Sequence, residues 1–538
     1  MKRYINILMV ALATMMTSCL TEDPRDQLYE EDIYNNANNI YINAVAVLYN
    51  YIGGSADSEG LQGTCRGIYD YNTLTTDEAM IPIRGGDWYD GGLWTNMYQH
   101  KWSPNDLPLY NTWKYLYKVV VLSNKSLHII DKYSHNLSEE QRVAYEAEVR
   151  ALRALFYYYI MDMYGRVPIV TSYEQPQDEV VQSERSEVFR FIVNELQEVA
   201  ELLPNERSNK MGNYYGRITT PVANFLLAKL ALNAEIYCDD NWTDGVPRNG
   251  KEIFFTVDGE KLNAWQTCIK YCNKLAEVGY RLEDDYSYNF SVHNENSNEN
   301  IFTIPLDKNL YAAQFWYLFR SRHYNHGGAL GGSSENGTSA NISTVLANGY
   351  GTDDVDARFE KNFYAGIVEV DGKPVMMDNG QQLEYFPLEL KLNLTGSSYA
   401  KTAGARMAKY EVDRTSHSDG RQPDNDIVLF RYADALLMKS EAKVRNGEDG
   451  SLELNEVRGR VGMPYREATL ENILKERLLE LVWEGWRRQD MVRFGVYHKS
   501  YDQRVQLADE KNGYTTVFPI PQKSIDLNPK LKQNVGYK

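Results

Sequence analysis

The sequence predicts an all-α protein built from tetratricopeptide-like helical hairpins that support irregular loops with minor β-hairpins. Three observations point there. Helical patterns succeed one another from 106 to 278 with only short turns between them. Several carry Ala where neighbouring helices would press close. The apolar period then breaks over 280–425, where Gly, Asn and Ser crowd 325–352. An irregular insertion in a helical scaffold is where function usually sits.

The frame is set by AEVRALRALFYYYIMDMYGRVPIV (147–170). Val149, Leu152, Phe156, Tyr159, Ile160 and Met163 recur at three- and four-residue spacing, so one helix face is apolar. Ser138 with Gln141 forms a capping-box start, Gly165 ends the helix and Pro168 forbids its return. Upstream, a helical pattern covers 30–52 and closes at Gly53-Gly54. Residues 55–104 differ: Gly85-Gly86, Gly91-Gly92, Trp88, Trp94 and Trp102 are loop chemistry holding large rings. Ser103 is the expected cap of a helix over 106–133. Further helices are expected over 184–203, over 221–238 with Thr220 as cap and Pro221 at the first position, and over 259–278 before Gly279. Residues 299–305 read as a strand and 368–375 as a hairpin around Asp371-Gly372. Helices resume over 426–445 and 470–493.

Composition narrows the function. A formal net charge of −17 repels phosphate backbones and argues against nucleic-acid binding. Tyrosine is in excess, 41 against 16 Phe, and rings with an apolar body and a polar tip suit surfaces that are both wet and sticky. Such rings equally fill cores, and for any one Tyr the two readings weigh the same. Cys19, Cys65, Cys238, Cys268 and Cys272 show no metal-ligand spacing, and Cys268 and Cys272 read as buried thiols. There is no HExxH, GxSxG or P-loop motif. GGALGGSS (327–334) reads as a flexible loop, and His323-x-x-His326 is a weak metal signal best read as surface.

The N-terminus addresses the compartment. Lys2-Arg3 precedes an apolar run over 5–16, shorter than the roughly 20 residues a membrane span needs and suited to a signal peptide. It ends in Thr17-Ser18-Cys19, which resembles a bacterial lipobox with Cys19 as the lipidated residue. The expected organisation is a signal peptide (1–18), a lipidated tether (19–29) and one domain (30–538), divided into a helical part (30–279), a loop region (280–425) and a second helical part (426–538).

Several blocks together resemble one family. The AE-x-RALRA turn, Tyr-Tyr-Tyr run and YG-x-VP of 147–170 are followed by DIVLFRYADALLMKSEAKVRNG (426–447), LNEVRGRVG (454–462), ERLLELVWEGWRRQDMVRFG (476–495) and VFPIPQKSIDLNPKLKQNVGY (517–537). In this order they are similar to the SusD/RagB-like glycan-binding lipoproteins of the Bacteroidetes outer membrane. Arg477, Glu480, Glu484, Arg487, Arg488, Asp490 and Arg493 then read as a structural paired-charge network, since buried charge is costly unless satisfied.

The resemblance implies a non-catalytic, lipid-anchored protein on the exterior of the outer membrane. It would bind oligo- or polysaccharide and deliver it to a SusC-like TonB-dependent transporter. Alternatives are a peptide-binding RagB-like uptake protein and, less favoured, a glycan-cleaving enzyme. No cofactor is implied, and no motif indicates a structural Ca²⁺. Arg66, ahead of Thr76-Asp77-Glu78, matches the position of a binding Arg in the family's starch-binding founder. The aromatic pair expected next is replaced by Ile81 and Ile83, and Thr338 stands where another ring is expected, so a glycan other than starch is favoured. The candidate ligand residues are Arg66, Arg84, Asp87, Trp88, Tyr89, Trp94, Tyr311, Trp316 and Asn336, with Trp88 and Trp316 as stacking faces and Arg66 and Asp87 as hydroxyl partners.

Overall fold

A computed structural model describes residues 30–310, 316–416 and 423–537. The expected signal peptide and tether, with Cys19, therefore lie outside the described residues, as do Tyr311 and the side chain of Trp316.

Helices pack in chain order. α1 (Leu107–Lys132) lies on α2 (Glu139–Tyr164), α2 on α3 (Arg185–Val199), and α3 on α4 (Thr220–Leu232). α4 packs on α5 (Ala264–Glu277), and both pack on α6 (Tyr432–Asn446). α2 starts at the Ser138/Gln141 capping box and is buried on all faces from Ala147 to Tyr164 apart from Arg150. It is the central pillar rather than a one-sided helix. Two tyrosines of this helix partner their hydroxyls with distant backbone: Tyr157 donates to the Val170 carbonyl at 3.1 Å and Tyr164 to that of Leu109 at 2.7 Å. A phenol there fills space as Phe would and also ties a loop to the helix.

Several expected boundaries shift for local reasons. Asp106, not Ser103, caps α1, and the Ser103 hydroxyl donates to the Asp106 carboxylate at 2.9 Å. Thr219 caps α4, while the Thr220 hydroxyl donates to the Ala200 and Leu203 carbonyls and pins α4 to the segment before it. Asp258-Gly259 turns a hairpin of Phe254–Val257 with Glu260–Asn263, so α5 begins only at Ala264. Residues 427–431 form a strand, not the start of α6, because Ile427–Arg431 pairs antiparallel with Asn300–Ile304. The expected helix over 470–493 splits into Leu470–Leu481 and Arg487–Arg493, since Trp483 (φ 70°) and Gly485 (φ 73°) reverse the chain. Within 55–104 two short helices appear, Ile68–Thr73 and Leu93–Tyr98, where loop alone was expected. The Gly-rich stretch likewise begins as a helix, Tyr324–Ala329. The hairpin at Asp371-Gly372 forms as expected, Glu369–Val370 against Lys373–Pro374. Cys268 and Cys272 are buried free thiols.

The charges of the C-terminal blocks form the expected network. Arg477 bridges Asp434 and Asp490, Arg493 bridges Glu441 and Asp490, and Arg487 reaches Asp77 at 2.6 Å. Burial alone would raise the Glu441 carboxyl, but Arg493 and Arg445 override it and hold it down at about 2. A depressed folded pKa contributes stability that is complete above the unfolded value, roughly 4.3, and is lost as pH falls through the folded one. The urea midpoint is therefore expected to hold above about pH 5 and to drop between about pH 4.5 and 2. Glu441→Gln should flatten part of that drop; an identical acid profile in parent and variant would remove Glu441 from the account.

Candidate functional site

Short pairings bring distant loops together. Ala79–Met80 pairs antiparallel with Ser339–Ala340, and Ala340 also bridges Ala405. The segments 84–94, 320–338 and 399–406 thereby meet. Beneath them Arg320 is locked to Asp70 by two hydrogen bonds of 3.0 and 2.6 Å, and its Nε donates to the Thr338 hydroxyl.

Trp94 is the centre of this junction. It is buried, its indole N–H donates to Asp90 at 2.7 Å, and the guanidinium carbons of Arg66 and Arg320 each lie 5.5 Å from its ring centroid. Arg66 adopts φ 59° and is held between Asp57 at 2.6 Å and Asp90 at 3.1 Å. Its backbone N–H donates to Asp70, which ties the strained residue to the same carboxylate as Arg320. Trp88 (φ 64°) stands edge-on to Trp94 at 6.0 Å, is half-buried, and donates its indole N–H to the Glu335 carbonyl at 3.0 Å.

The outward face is made by other groups. Tyr89 is 58% exposed, and Tyr324, also exposed, is tied to Asp87, two residues before Tyr89. Asp87 accepts from the Tyr324 hydroxyl at 2.9 Å and from Lys401 at 3.0 Å. Lys401 and that hydroxyl hold the Asp87 carboxyl below the usual range. Lys401 also lies 5.2 Å from the Tyr324 ring centroid. The patch thus offers ring faces, a carboxylate and an ammonium within reach of one another, which suits polyhydroxylated ligands.

Of the sequence candidates, Asp87, Trp88, Tyr89 and Arg66 meet at or near this surface. Arg84, Trp94 and Asn336 are buried and present no surface to a ligand. Arg84 donates to the Ala400 and Ala403 carbonyls and to the Ser339 hydroxyl. Both polar atoms of the Asn336 side chain lack a partner. Tyr317 is buried against Tyr69, with centroids 4.5 Å apart. His323 and His326 are buried rather than exposed; burial and nearby arginines push them to about 4 and about 3. No group of His, Cys, Asp and Glu fit to hold a metal occurs among the described residues. Sequence reasoning missed Lys401, Arg406, Asp90 and Gly337. Lys401, Arg406 and Gly337 gain their places from groups distant in sequence, Asp87, Ser321 and Trp88, and Asp90 from the Trp94 indole and Arg66.

Comparison with known proteins follows the same division of the chain. The SusD family model matches residues 278–537, and a second one, described as starch-binding and associating with the outer membrane, matches 32–232. The chain belongs to the SusD family. Among its SusD relatives, the starch-binding protein SusD of Bacteroides thetaiotaomicron is 25% identical, with 90% of this chain and 89% of the relative covered. A SusD-like protein of Formosa agariphila is 24% identical over 96% of both chains. Among solved structures, surface glycan-binding protein A of Bacteroides thetaiotaomicron in complex with laminarihexaose superposes with a TM-score of 0.70 at 21% identity, covering 92% of this chain and 99% of its own. A laminarin-binding SusD-like protein superposes with a TM-score of 0.68 at 19% identity, covering 93% of this chain and all of its own. These likenesses establish the SusD fold over nearly the whole chain.

Proposed function

We propose that this SusD-family protein is an outer-membrane surface lipoprotein that captures oligo- or polysaccharide and hands it, uncleaved, to a SusC-like TonB-dependent transporter. The observation that carries the reading is the convergence of Tyr89, Trp88 and Tyr324 with the Asp87–Lys401 pair on one loop platform. Sugar C–H faces stack on rings, and hydroxyls take up the carboxylate, ammonium and phenol. Family membership and the relatives named for starch and laminarin binding support glycan as the ligand.

A binding role without hydrolysis is supported by the carboxyl groups. A glycosidase needs an acid kept protonated near neutrality beside a second carboxylate. At the platform Asp87 is ion-paired and shifted the other way. The most strongly raised carboxyls, Glu78 to about 8 and Asp426 to about 7 by burial, lie inside the protein, where Glu78 accepts from the Trp483 backbone N–H at 2.9 Å; Glu456 and Asp502, also raised by burial, lie outside the platform segments. Anchoring through Cys19 fits the short apolar leader, and no helix among the described residues is long and apolar enough to cross a membrane.

The test is affinity electrophoresis of the purified protein through gels carrying a polysaccharide panel, with Tyr89→Ala alongside. A stacking ring is worth about 1 kcal/mol, so the variant should bind about fivefold more weakly with an unchanged unfolding midpoint. Retardation that ignores Tyr89→Ala would move the site off this platform. Absence of retardation by every polymer, with binding of extended peptides instead, would favour the RagB-like alternative.

A further inference from the structure

Resting on the glycan-binding reading, a charge imbalance at one end of the platform narrows the ligand. Most buried arginines of this protein are matched to carboxylates: Arg153 to Glu195, Arg320 to Asp70, Arg358 to Glu476 and Glu480, Arg488 to Asp162, Arg493 to Glu441, Arg504 to Glu510. Among the described residues, Arg84, Arg322 and Arg406 have no carboxylate partner, and all three lie in the loops of the platform. Arg185 is the other unmatched buried arginine, and it sits far along the chain against the Tyr237 and Trp242 rings.

The placement of Arg84 and Arg406 is specific. Arg84 is 2% exposed and donates to the carbonyls of Ala400 and Ala403; Arg406 is fully buried and donates to the carbonyls of Ser321 and Lys401. Both guanidiniums thus hang directly beneath the residues that carry Lys401 to the surface. Arg406 packs on the Tyr385 ring at 5.0 Å, and Tyr385 accepts the backbone N–H of His323, one residue before Tyr324. Arg322, 6% exposed, lies in the same segment; Glu411 and Asp413 share its cavity and offset its charge from that side. At the Tyr324 end the acidic groups are Asp87, already committed to Lys401, Asp378, which accepts from Asn325 at 2.9 Å, and the half-buried Glu335, whose charge bears on the Tyr324 hydroxyl rather than on the two guanidiniums. His323 and His326 are neutral there and add no charge at neutral pH. Cations taken out of water without counter-ions are costly, and a bound anion would relieve that cost in a medium where charges interact strongly.

We propose that the glycan taken at this platform is anionic, presenting carboxylate or sulfate-ester groups to the Tyr324–Lys401 end above Arg84 and Arg406. An acid group there competes with Asp87 for Lys401 and meets the field of both buried guanidiniums.

The experiment runs the purified protein at pH 7 through gels carrying neutral polymers (starch, laminarin, xyloglucan) and acidic ones (alginate, polygalacturonate, carrageenan, chondroitin sulfate). An acidic polymer that retards the protein is then compared with its own carboxyl-reduced or desulfated form, which tells carboxylate from sulfate. The expected result is retardation by an acidic polymer, about tenfold weaker binding to its neutralised form, and loss of affinity between 50 and 500 mM salt. Lys401→Gln, a surface change that should leave folding intact, is expected to weaken it about fivefold. Retardation by neutral polymers alone, or equal binding of the neutralised form, would overturn the acidic preference and leave glycan binding standing. No retardation by any polymer would overturn both.

Discussion

Glu480→Gln is expected to destabilise the protein by about 3–5 kcal/mol, the range for breaking a buried ion pair by removing one partner. Glu480 is completely buried and accepts from Arg431 and Arg358 at 2.6 Å each and from Arg460. Burial alone would raise its carboxyl, but Arg460, Arg431 and Arg358 outweigh that and hold it well below the usual range. Those arginines lean on further acids: Arg431 on Glu299 and Glu484, Arg358 on Asp356 and Glu476, and Arg460 on Glu299. Removing one negative charge from the middle leaves surplus cations with nowhere to relax, and an amide N–H₂ pointing at a guanidinium. The measurement is the midpoint of urea unfolding at constant slope. Glu471→Gln, at the exposed start of the same helix, serves as control and should shift by less than about 0.5 kcal/mol. A Glu480→Gln midpoint matching that control would mean the network contributes little net stability.

Gly337→Ala is the second large effect, and it falls on binding. A Cβ at Gly337 would stand 2.7 Å from Trp88 Cζ2 and 3.1 Å from Arg320 Cγ. Arg320 cannot yield, because Asp70 holds it in a bidentate pair inside the protein. Trp88, half-buried and held by one hydrogen bond to Glu335 and its edge contact with Trp94, is the group that moves. Overpacking of this kind costs about 1–3 kcal/mol in stability. Displacing the ring from its place beside Trp94 should also lower glycan affinity about tenfold, or 1.4 kcal/mol. Calorimetric titration with a polymer the parent binds would measure it. If affinity stays at the parent value while the unfolding midpoint falls, Trp88 is structural packing and the ligand rests on Tyr89 and Tyr324 alone.

The helical scaffold was legible because its signals are local. A capping box at Ser138, an apolar period through 147–164 and Pro221 near a helix start each act over one or two turns. The boundaries that slipped are those decided at a distance. Ile427–Arg431 is a strand only because Asn300–Ile304 lies beside it, and the break at Trp483 follows from a buried indole whose N–H donates to Asn362. At the platform the same divide appears. The Trp88-Tyr89 loop stood out as aromatic chemistry among glycines, but Lys401 was invisible: its partner Asp87 is 314 residues away in sequence. Arg84 and Trp94 carry the residue types of a sugar site, yet their neighbours draw them inward, and no pattern in the linear chain separates a ring that faces water from one that faces another ring.

The antiparallel pair Ala79–Met80 with Ser339–Ala340 has a consequence for how such proteins diversify. It clamps the roots of the platform loops to the scaffold, while the residues at their tips, Tyr89, Tyr324 and Lys401, are exposed at the surface, where substitutions cost little stability. Substitutions at the tips are then nearly neutral for folding, and the Glu480 network keeps the helices assembled whatever the tips become. Selection can exchange one ligand preference for another by rewriting a few exposed side chains, if the ligand rests on them, with the architecture inherited unchanged.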